Sequence, residues 1–243
     1  GSQNEYLNGN PQMTFFKIVY KRFTNFSMES ITQNFVGPNE LNQQNKIKLQ
    51  CKIPRNADLI TNTYFTFHIP DIYSGYNPIS NTNYKFQWIK NLGTNIIDHV
   101  EILIGGQVID KHYGEWLNIW SELNLSSSKL DNYNYLIGNV PELYDPENYP
   151  GNNGLYPTST LNPQLNRDPD YNSIEYLQVI NPYERSASIK GRKIYVPLRF
   201  WFCQMSGLAL PLIALQYHEV YINIELKALS NLDTIIDTDE ESP

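Results

Sequence analysis

The chain has 243 residues, of which 41% are apolar, 13% aromatic and only 18% charged, with eighteen tyrosines. This composition supplies ample apolar side chains for a folded core and excludes a disordered chain. The net charge of −7 and the scattered Lys and Arg residues offer no basic stripe to a phosphate backbone, which argues against direct nucleic-acid binding. No apolar run approaches the roughly 18 to 20 residues that span a bilayer, and no leader pattern opens the chain. The sequence therefore predicts a soluble, unsecreted globular protein.

Three strands are predicted in the first part of the chain. The opening Gly1-Ser2 lacks a starting Met, so residues 1–12 are interpreted as a tag remnant and an arm. Two extended segments follow, Thr14–Phe23 and Phe26–Val36, and both are predicted as strands. Lys46–Ile53 alternates strictly, and its lysine-rich outer side is typical of an exposed sheet face or a defended edge.

A further strand and a β-hairpin are predicted next. Leu59–Ile69 is rich in Thr, Tyr and Phe, which suit a pleated surface, and it stops at Pro70. Ile96–Ile104 and Gln107–Asp110 flank Gly105-Gly106, a dipeptide that tolerates the positive φ angles of a two-residue turn. These two segments are therefore predicted to form a hairpin.

The pattern predicts one helix, followed by a long insertion. The helix spans Tyr113–Asn124, where Trp116, Trp120 and Leu123 recur at helical spacing and Leu117 widens the stripe. This stripe is predicted to pack into the core, because large apolar residues on one helical face are usually buried. Leu125–Arg192 then has seven prolines, about ten Asn and eight Tyr without a sustained apolar period. It is predicted to be an ordered insertion with some short elements rather than a disordered loop.

Regular alternation returns near the end of the chain. Lys193–Cys203 is predicted as a strand, in which Pro197 indicates an edge, a bulge or a strand start. The residues predicted to face one way along it are Ile194, Val196, Leu198, Phe200 and Phe202. Leu208–Leu226 joins an apolar, proline-bearing segment to a strand. The inward-facing residues of that strand are Val220, Ile222, Ile224 and Leu226. After Leu229 the chain turns acidic, and residues 230–243 are predicted to be a tail or a linker.

These elements predict an all-β fold. About eight to ten strands, one helix and no strand–helix alternation disfavour parallel α/β folds. An antiparallel β-sandwich is expected, either a jelly roll or an immunoglobulin-like sandwich. The size and the insertion favour the jelly roll, as one domain over residues 13–229 that contains the insertion at 125–192.

No catalytic pair or metal site is predicted from the histidines and glutamates. The histidines are His68, His99, His112 and His218. They lie on different predicted elements, at spacings that do not bring two imidazoles to one metal, so each is interpreted as a structural or surface residue. Glu219 and Glu225 share one strand face, but six strand residues separate them by roughly 20 Å, which is too far for a glycosidase pair.

The remaining candidates for chemistry also fail. Asp168–Asn172 resembles the opening of a calcium loop, but Ser173 replaces the required glycine and Val179 the bidentate glutamate, so a turn is the better interpretation. Cys51 and Cys203 could pair, but both lie in strand patterns and are interpreted as structural residues, which fits a reducing compartment. The sequence predicts no catalytic, metal-binding or cofactor-binding residue and therefore no enzyme.

Four longer segments carry a resemblance to a known family. They are FFKIVYKRFTNFSMESITQNF at Phe15–Phe35, FQWIKNLGTNIIDHVEILIGG at Phe86–Gly106, YGEWLNIWSEL at Tyr113–Leu123 and RKIYVPLRFWFCQMSGLALPLIALQYHEV at Arg192–Val220. In this order they resemble the first jelly roll of the major capsid proteins of nucleocytoplasmic large DNA viruses. The matches span the whole predicted domain, which makes the resemblance more specific than any single motif.

The resemblance implies a structural protein without catalytic residues. In that family each subunit has two consecutive jelly rolls, three subunits form a pseudo-hexagonal capsomer, and capsomers tile an icosahedral shell. The implied partners are copies of the chain in a homotrimer, neighbouring capsomers and minor capsid proteins, in a virion made in the host-cell cytoplasm. The insertion is expected among the loops at one end of the roll. Only one jelly roll is predicted in this chain. The chain is therefore expected to be a truncated form, a proteolytic fragment or a family member with a single roll.

Two alternative functions stay open from the sequence. A virus assembly scaffold protein would have the same fold and equally lack catalytic chemistry. A glycan-binding or receptor-binding jelly roll could use the Tyr-rich and Asn-rich loops as its platform.

Overall fold

The computed structural model describes residues 25–74, 76–77, 82–157 and 187–237, with the backbone alone at 76–77, 82–84 and 237. The predictions for residues 1–12, for the strand Thr14–Phe23 and for the Asp168–Asn172 loop lie outside the described residues. Within them, most regular structure is antiparallel β-strand, joined by a few short helices. The prediction of an antiparallel β protein is therefore confirmed.

The elements follow one another in a simple order. The strands are β1 (Ile47–Lys52), β2 (Leu59–Ile60), β3 (Tyr64–Ile69), β4 (Tyr76–Asn77), β5 (Thr82–Trp88), β6 (Ile97–Ile104), β7 (Gln107–Tyr113), β8 (Arg192–Pro197), β9 (Leu210–Pro211), β10 (Val220–Leu226) and β11 (Asp233–Asp237). The helices are α1 (Leu92–Asn95), α2 (Gly114–Asn124), α3 (Ser127–Leu136) and α4 (Pro141–Tyr144). Short 3₁₀ turns occupy Trp201–Cys203, Ser206–Leu208, Ile213–Leu215 and Leu229–Asn231.

A four-stranded antiparallel sheet has the order β1-β10-β6-β7. Leu49 of β1 pairs with Ile224 of β10, which in turn pairs with Val100 of β6. All three side chains are buried, because residues at matching positions of neighbouring strands share a face. The alternation predicted for β1 and β10 is confirmed, with every second residue in the core.

The hairpin predicted from the glycine pair is also confirmed. Ile104 and Gln107 pair across the turn that joins β6 to β7. Gly105 and Gly106 have φ angles of 58° and 84°, which a residue with a side chain rarely adopts. The strand after the turn continues beyond the predicted end at Asp110 as far as Tyr113.

Three smaller sheets complete the β structure: β11-β5-β4, β2-β9 and β3-β8. They explain why the strand predicted over Leu59–Ile69 is divided in two, since β2 and β3 have different partners. Between them, the carbonyl of Thr63 accepts a hydrogen bond from the amide of Leu198 at 3.0 Å.

Two predictions about strand content are wrong. Phe26–Val36 is not a strand: Val36 makes one bridge to Gln50, and residues 25–35 have no strand partner among the described residues. Residues 233–237 are not tail but β11, in which Ile235 pairs with Phe86 of β5. A segment with strand-forming residues becomes a strand only where it can pair with the edge of a sheet. A single sequence does not show which sheet edges are open to pairing.

In the segment Lys193–Cys203 the predicted alternation of side chains is confirmed, but the strand is shorter than predicted. The alternate residues Ile194, Val196, Leu198, Phe200 and Phe202 are all buried, as predicted. However, β8 ends at Pro197, and the buried aromatic rings sit on the turn that follows it. Phe200 and Phe202 stack with ring centroids 5.5 Å apart and are fully buried, and each contributes about 1.5 to 3 kcal/mol to folding by leaving water.

The insertion contains more helix than predicted. Its described part includes α3 and α4, so Tyr113–Asn124 is not the only helix. Only Tyr133 of α3 is buried, which leaves no apolar stripe for a sequence pattern to detect. Leu143 anchors α4 in the core, and Glu142 forms an ion pair with Arg192 of β8.

Candidate interaction surface

The helix α2 packs against the rest of the protein through a narrow face that does not include its tryptophans. Its buried residues are Gly114, Leu117 and Ser121. A Cβ atom on Gly114 would lie 2.1 Å from the carbonyl oxygen of Thr94, so only glycine allows the helix to approach α1 this closely. Asn118 accepts a hydrogen bond from the Thr94 hydroxyl and fixes the rotation of the helix.

The opposite side of α2 is an exposed apolar surface, which we call the outer face of α2. It comprises Trp116, Ile119, Trp120 and Leu123. The exposed fractions are 46% for Trp116, 52% for Ile119 and 77% for Leu123. The prediction that this stripe packs into the core is therefore wrong for Trp116, Trp120 and Leu123, whereas Leu117, which widens the stripe, is buried as predicted. The helical period was identified correctly, but the narrow contact at Gly114 turns the stripe outward.

Trp120 links this face to the neighbouring strand end. The guanidinium of Arg199, which follows β8, lies 3.9 Å from the centroid of the Trp120 ring. Stacking of this kind holds the indole in place and covers one side of it. Trp and Arg are the residue types that contribute most at protein interfaces, and a large apolar surface left in water usually marks such an interface.

The outer face of the four-stranded sheet has the opposite chemistry. The Gln50 amide donates to Asn223 Oδ1 at 3.0 Å, and the Asn223 amide donates to Glu101 Oε1 at 3.1 Å, so one row of polar contacts crosses three strands. Glu219 pairs with Lys52 and accepts a hydrogen bond from the Tyr221 hydroxyl at 2.6 Å. These two contacts lower the pKa of Glu219.

Glu219 and Glu225 lie on this same polar face, as predicted. Glu225 is engaged by Lys48, whose Nζ is 3.3 Å away, while Glu219 is engaged by Lys52. Both carboxylates therefore serve cross-strand ion pairs within the sheet, which is a structural use of their charge.

The histidines occupy four different environments. His68 and His218 are exposed, and His99 lies 3.1 Å from an oxygen of Asp98. His112 is buried on β7, and neither of its ring nitrogens is hydrogen-bonded to a described residue; the centroids of its ring and the Phe200 ring are 4.8 Å apart. Burial lowers the pKa of His112 from 6.5 to about 4, so the ring is neutral at pH 7.

One group of side chains has the composition of a metal site. Asp98, His99 and Glu225 bring one potential ligand atom each within 4.8 Å of one another. However, Lys46 Nζ lies 2.8 Å from Asp98 and 3.6 Å from Glu225 and already supplies the positive charge. We assign the group to the ion-pair network of the sheet.

Both cysteines are free thiols. Cys51 is buried on β1. Cys203 lies 3.2 Å from the hydroxyl of Thr63. Burial raises the pKa of both thiols, which is the environment of a structural cysteine rather than of a nucleophile. Across the part of the chain that the structure describes, every helix is too short or too polar to cross a bilayer.

The fold and these surfaces define an antiparallel β protein with an exposed aromatic helix face and a self-paired polar sheet face. The family model described as the N-terminus of the major capsid protein matches residues 14–242, and the chain belongs to this family. The resemblance noted from the sequence is thereby confirmed.

Relatives and solved structures agree with this assignment. The chain is 40% identical over 228 residues to the major capsid protein of Phaeocystis pouchetii virus, covering 93% of this chain and 39% of the relative. It is 35% identical over 226 residues to that of Paramecium bursaria Chlorella virus 1, covering 93% and 38%. It also resembles the VP54 structure of PBCV-1, with a TM-score of 0.53, 28% identity and coverage of 91% and 43%. The chain thus spans about two fifths of the length of these relatives.

Proposed function

We propose that this chain is a jelly-roll unit of a viral major capsid protein that associates with further copies into a trimeric capsomer and then an icosahedral shell. In the virion its partners are neighbouring capsomers and minor capsid proteins, and the protein is made in the cytoplasm of the host cell. The family match over residues 14–242 and the likeness to VP54 support this proposal.

The order of the strands supports the jelly-roll sandwich. β1 pairs with β10 although most of the chain lies between them, as in Greek-key arrangements where a late strand returns beside an early one. The β3-β8 pair contributes Phe65 and Val196 to the same core cluster as the four-stranded sheet. We place the domain at residues 13–229, with its insertion at 125–192, and extend it to include β11.

The outer face of α2 is the single observation that carries the assembly proposal. A helix that exposes a tryptophan, an isoleucine and a leucine along one side retains apolar area that a monomer would bury. Closed homo-oligomers bury such a patch on every subunit at once, and three subunits are the number that the family resemblance implies.

The test is the mass of the protein in solution, by light scattering of this chain and of a chain extended to the full length of its relatives. We expect the extended chain to be trimeric. In that chain, Leu123→Glu, which places a charge on the outer face of α2, is expected to weaken association at least about tenfold, because an unpaired charge would be buried. Leu155→Glu is the matched control, since the two leucines are 77% and 74% exposed.

A monomeric extended chain under assembly conditions would rule out the capsomer, and equal effects of the two substitutions would rule out the outer face of α2 as the contact. Detection of the protein in purified virions separates the capsid role from that of an assembly scaffold, which is discarded.

A further inference from the structure

A small cleft lies beside the outer face of α2, between α3 and the ends of β3 and β8. Its volume is about 240 Å³. Lys129 and Tyr133 line it from α3, Thr63 lines it from the residues before β3, and Arg199 and Cys203 line it from the residues after β8. We call it the Arg199 cleft. Its volume lies below the roughly 300 to 1,000 Å³ of sites for drug-sized ligands, so it fits a small ion or a single chemical group.

Arg199 is unusual among the arginines of the described chain. Arg192 forms an ion pair with Glu142, and Arg55 donates to the backbone carbonyls of Leu215 and His218. Arg199 stacks on Trp120 and is about half-buried, yet none of the described residues forms an ion pair or a hydrogen bond with its guanidinium. Its pKa is lowered by burial, which reflects the cost of keeping this charge away from water.

The Arg199 cleft is cationic in an acidic protein. The chain carries 25 acidic and 18 basic residues, but the lining of the cleft includes Arg199 and Lys129 and no carboxylate. Burial raises the pKa of the Tyr133 phenol and of the Cys203 thiol, so neither supplies a negative charge at pH 7. A half-buried guanidinium without a counter-charge is costly, and an anion in the cleft would offset this cost.

We propose that the Arg199 cleft binds an oxyanion, a carboxylate or phosphate group, between the guanidinium of Arg199 and the ammonium of Lys129. The planar guanidinium offers parallel N–H donors that match two oxygens of such a group, and the stacking on Trp120 holds it in position. The oxyanion comes either from a free ion or from an acidic side chain of a second copy of the chain. The site itself does not depend on the capsomer proposal.

Inorganic phosphate is the probe for the test, with ionic strength held constant by sodium chloride. We expect phosphate to raise the melting temperature of the unmodified chain in a saturable way, as a ligand of the folded state does. Arg199→Gln is expected to weaken phosphate binding at least about tenfold, since a charge-assisted hydrogen-bonded pair is lost. Lys129→Gln, at an exposed position where packing is unaffected, is expected to weaken it less and keeps the test valid if the arginine variant does not fold.

The matched control is Lys193→Gln, which removes the same charge from an exposed residue outside the cleft whose ammonium lies over Tyr195. The proposal would be overturned if phosphate did not raise the melting temperature of the unmodified chain, or if it raised that of all variants equally. If saturating phosphate also lowers the mass of the assembled full-length protein, the natural oxyanion is a side chain of a second copy. If the mass is unchanged, it is a free ion.

Discussion

Two exposed surfaces of this protein differ in whether their side chains find partners within the chain. On the outer face of the four-stranded sheet, polar groups pair with one another across the strands, as in the row from Gln50 through Asn223 to Glu101. On the outer face of α2, the side chains of Trp116, Ile119 and Leu123 are exposed to water. A surface whose groups already have partners is complete in the isolated chain, whereas an uncovered apolar surface indicates a contact with another molecule.

The largest expected effect separates the two sides of α2. Leu117→Ala, on the packed side, is expected to lower the free energy of unfolding by about 2 to 5 kcal/mol, because it leaves a cavity at a fully buried site. Leu123→Ala, the same change on the exposed side, is expected to stay within about 0.5 kcal/mol. Urea unfolding of both variants measures the difference, and equal losses would mean that the helix does not pack as described.

The next largest expected effect is on the pH dependence of stability, and it distinguishes the buried His112 from His99 on the polar face of the sheet. His112 has a pKa of about 4 in the folded chain and 6.5 ordinarily, so the unfolded chain binds more protons between these values. Stability therefore falls as pH drops below 6.5, by about 2 kcal/mol between pH 7.5 and pH 5. His112→Leu should remove this part of the pH dependence in urea titrations, whereas His99→Gln on the polar face should retain it.

If the free energy of unfolding changed with pH in the same way in the unmodified chain and in His112→Leu, this would contradict the buried, neutral state of the His112 ring. The groups around His112 are the Phe200 ring, which is uncharged, and the carboxylate of Asp110, whose attraction opposes the effect of burial on the pKa only in part.

The smallest effect concerns the polar row itself. Asn223→Ala removes one hydrogen bond to Gln50 and one to Glu101 and is expected to cost about 1 kcal/mol, because both partners remain accessible to water. Association of the full-length protein should be unchanged, since this face is complete within the chain. A loss of association in Asn223→Ala would show that the sheet face, too, contacts a neighbour.

Periodicity predicted the strands well where each had a long alternating pattern. The alternation predicts the inward residues of β1 and β10 correctly, and the glycine pair predicts the turn at Gly105-Gly106 correctly. Each of these signals lies within a few consecutive residues. Phe26–Val36 and Asp233–Asp237 were read incorrectly, since an extended segment becomes a strand only beside a partner strand that lies far away in sequence.

The surface of α2 illustrates the same limit at the candidate site. Sequence alone identified the helix and an apolar stripe along it, but a stripe has the same period whether it faces the core or a partner. Gly114 is the residue that decides, because its missing Cβ lets the other side of the helix meet Thr94. The cationic cleft was invisible in sequence, since Arg199 and Lys129 are seventy residues apart.

By itself, the sequence determined an antiparallel β protein and its membership of the major capsid family, because both depend on local alternation and on ordered motifs along the chain. Only the tertiary structure decided which strands pair, which side of α2 faces outward and which arginine has no counter-charge among the described residues. Those properties depend on contacts between distant segments, and no local pattern contains them.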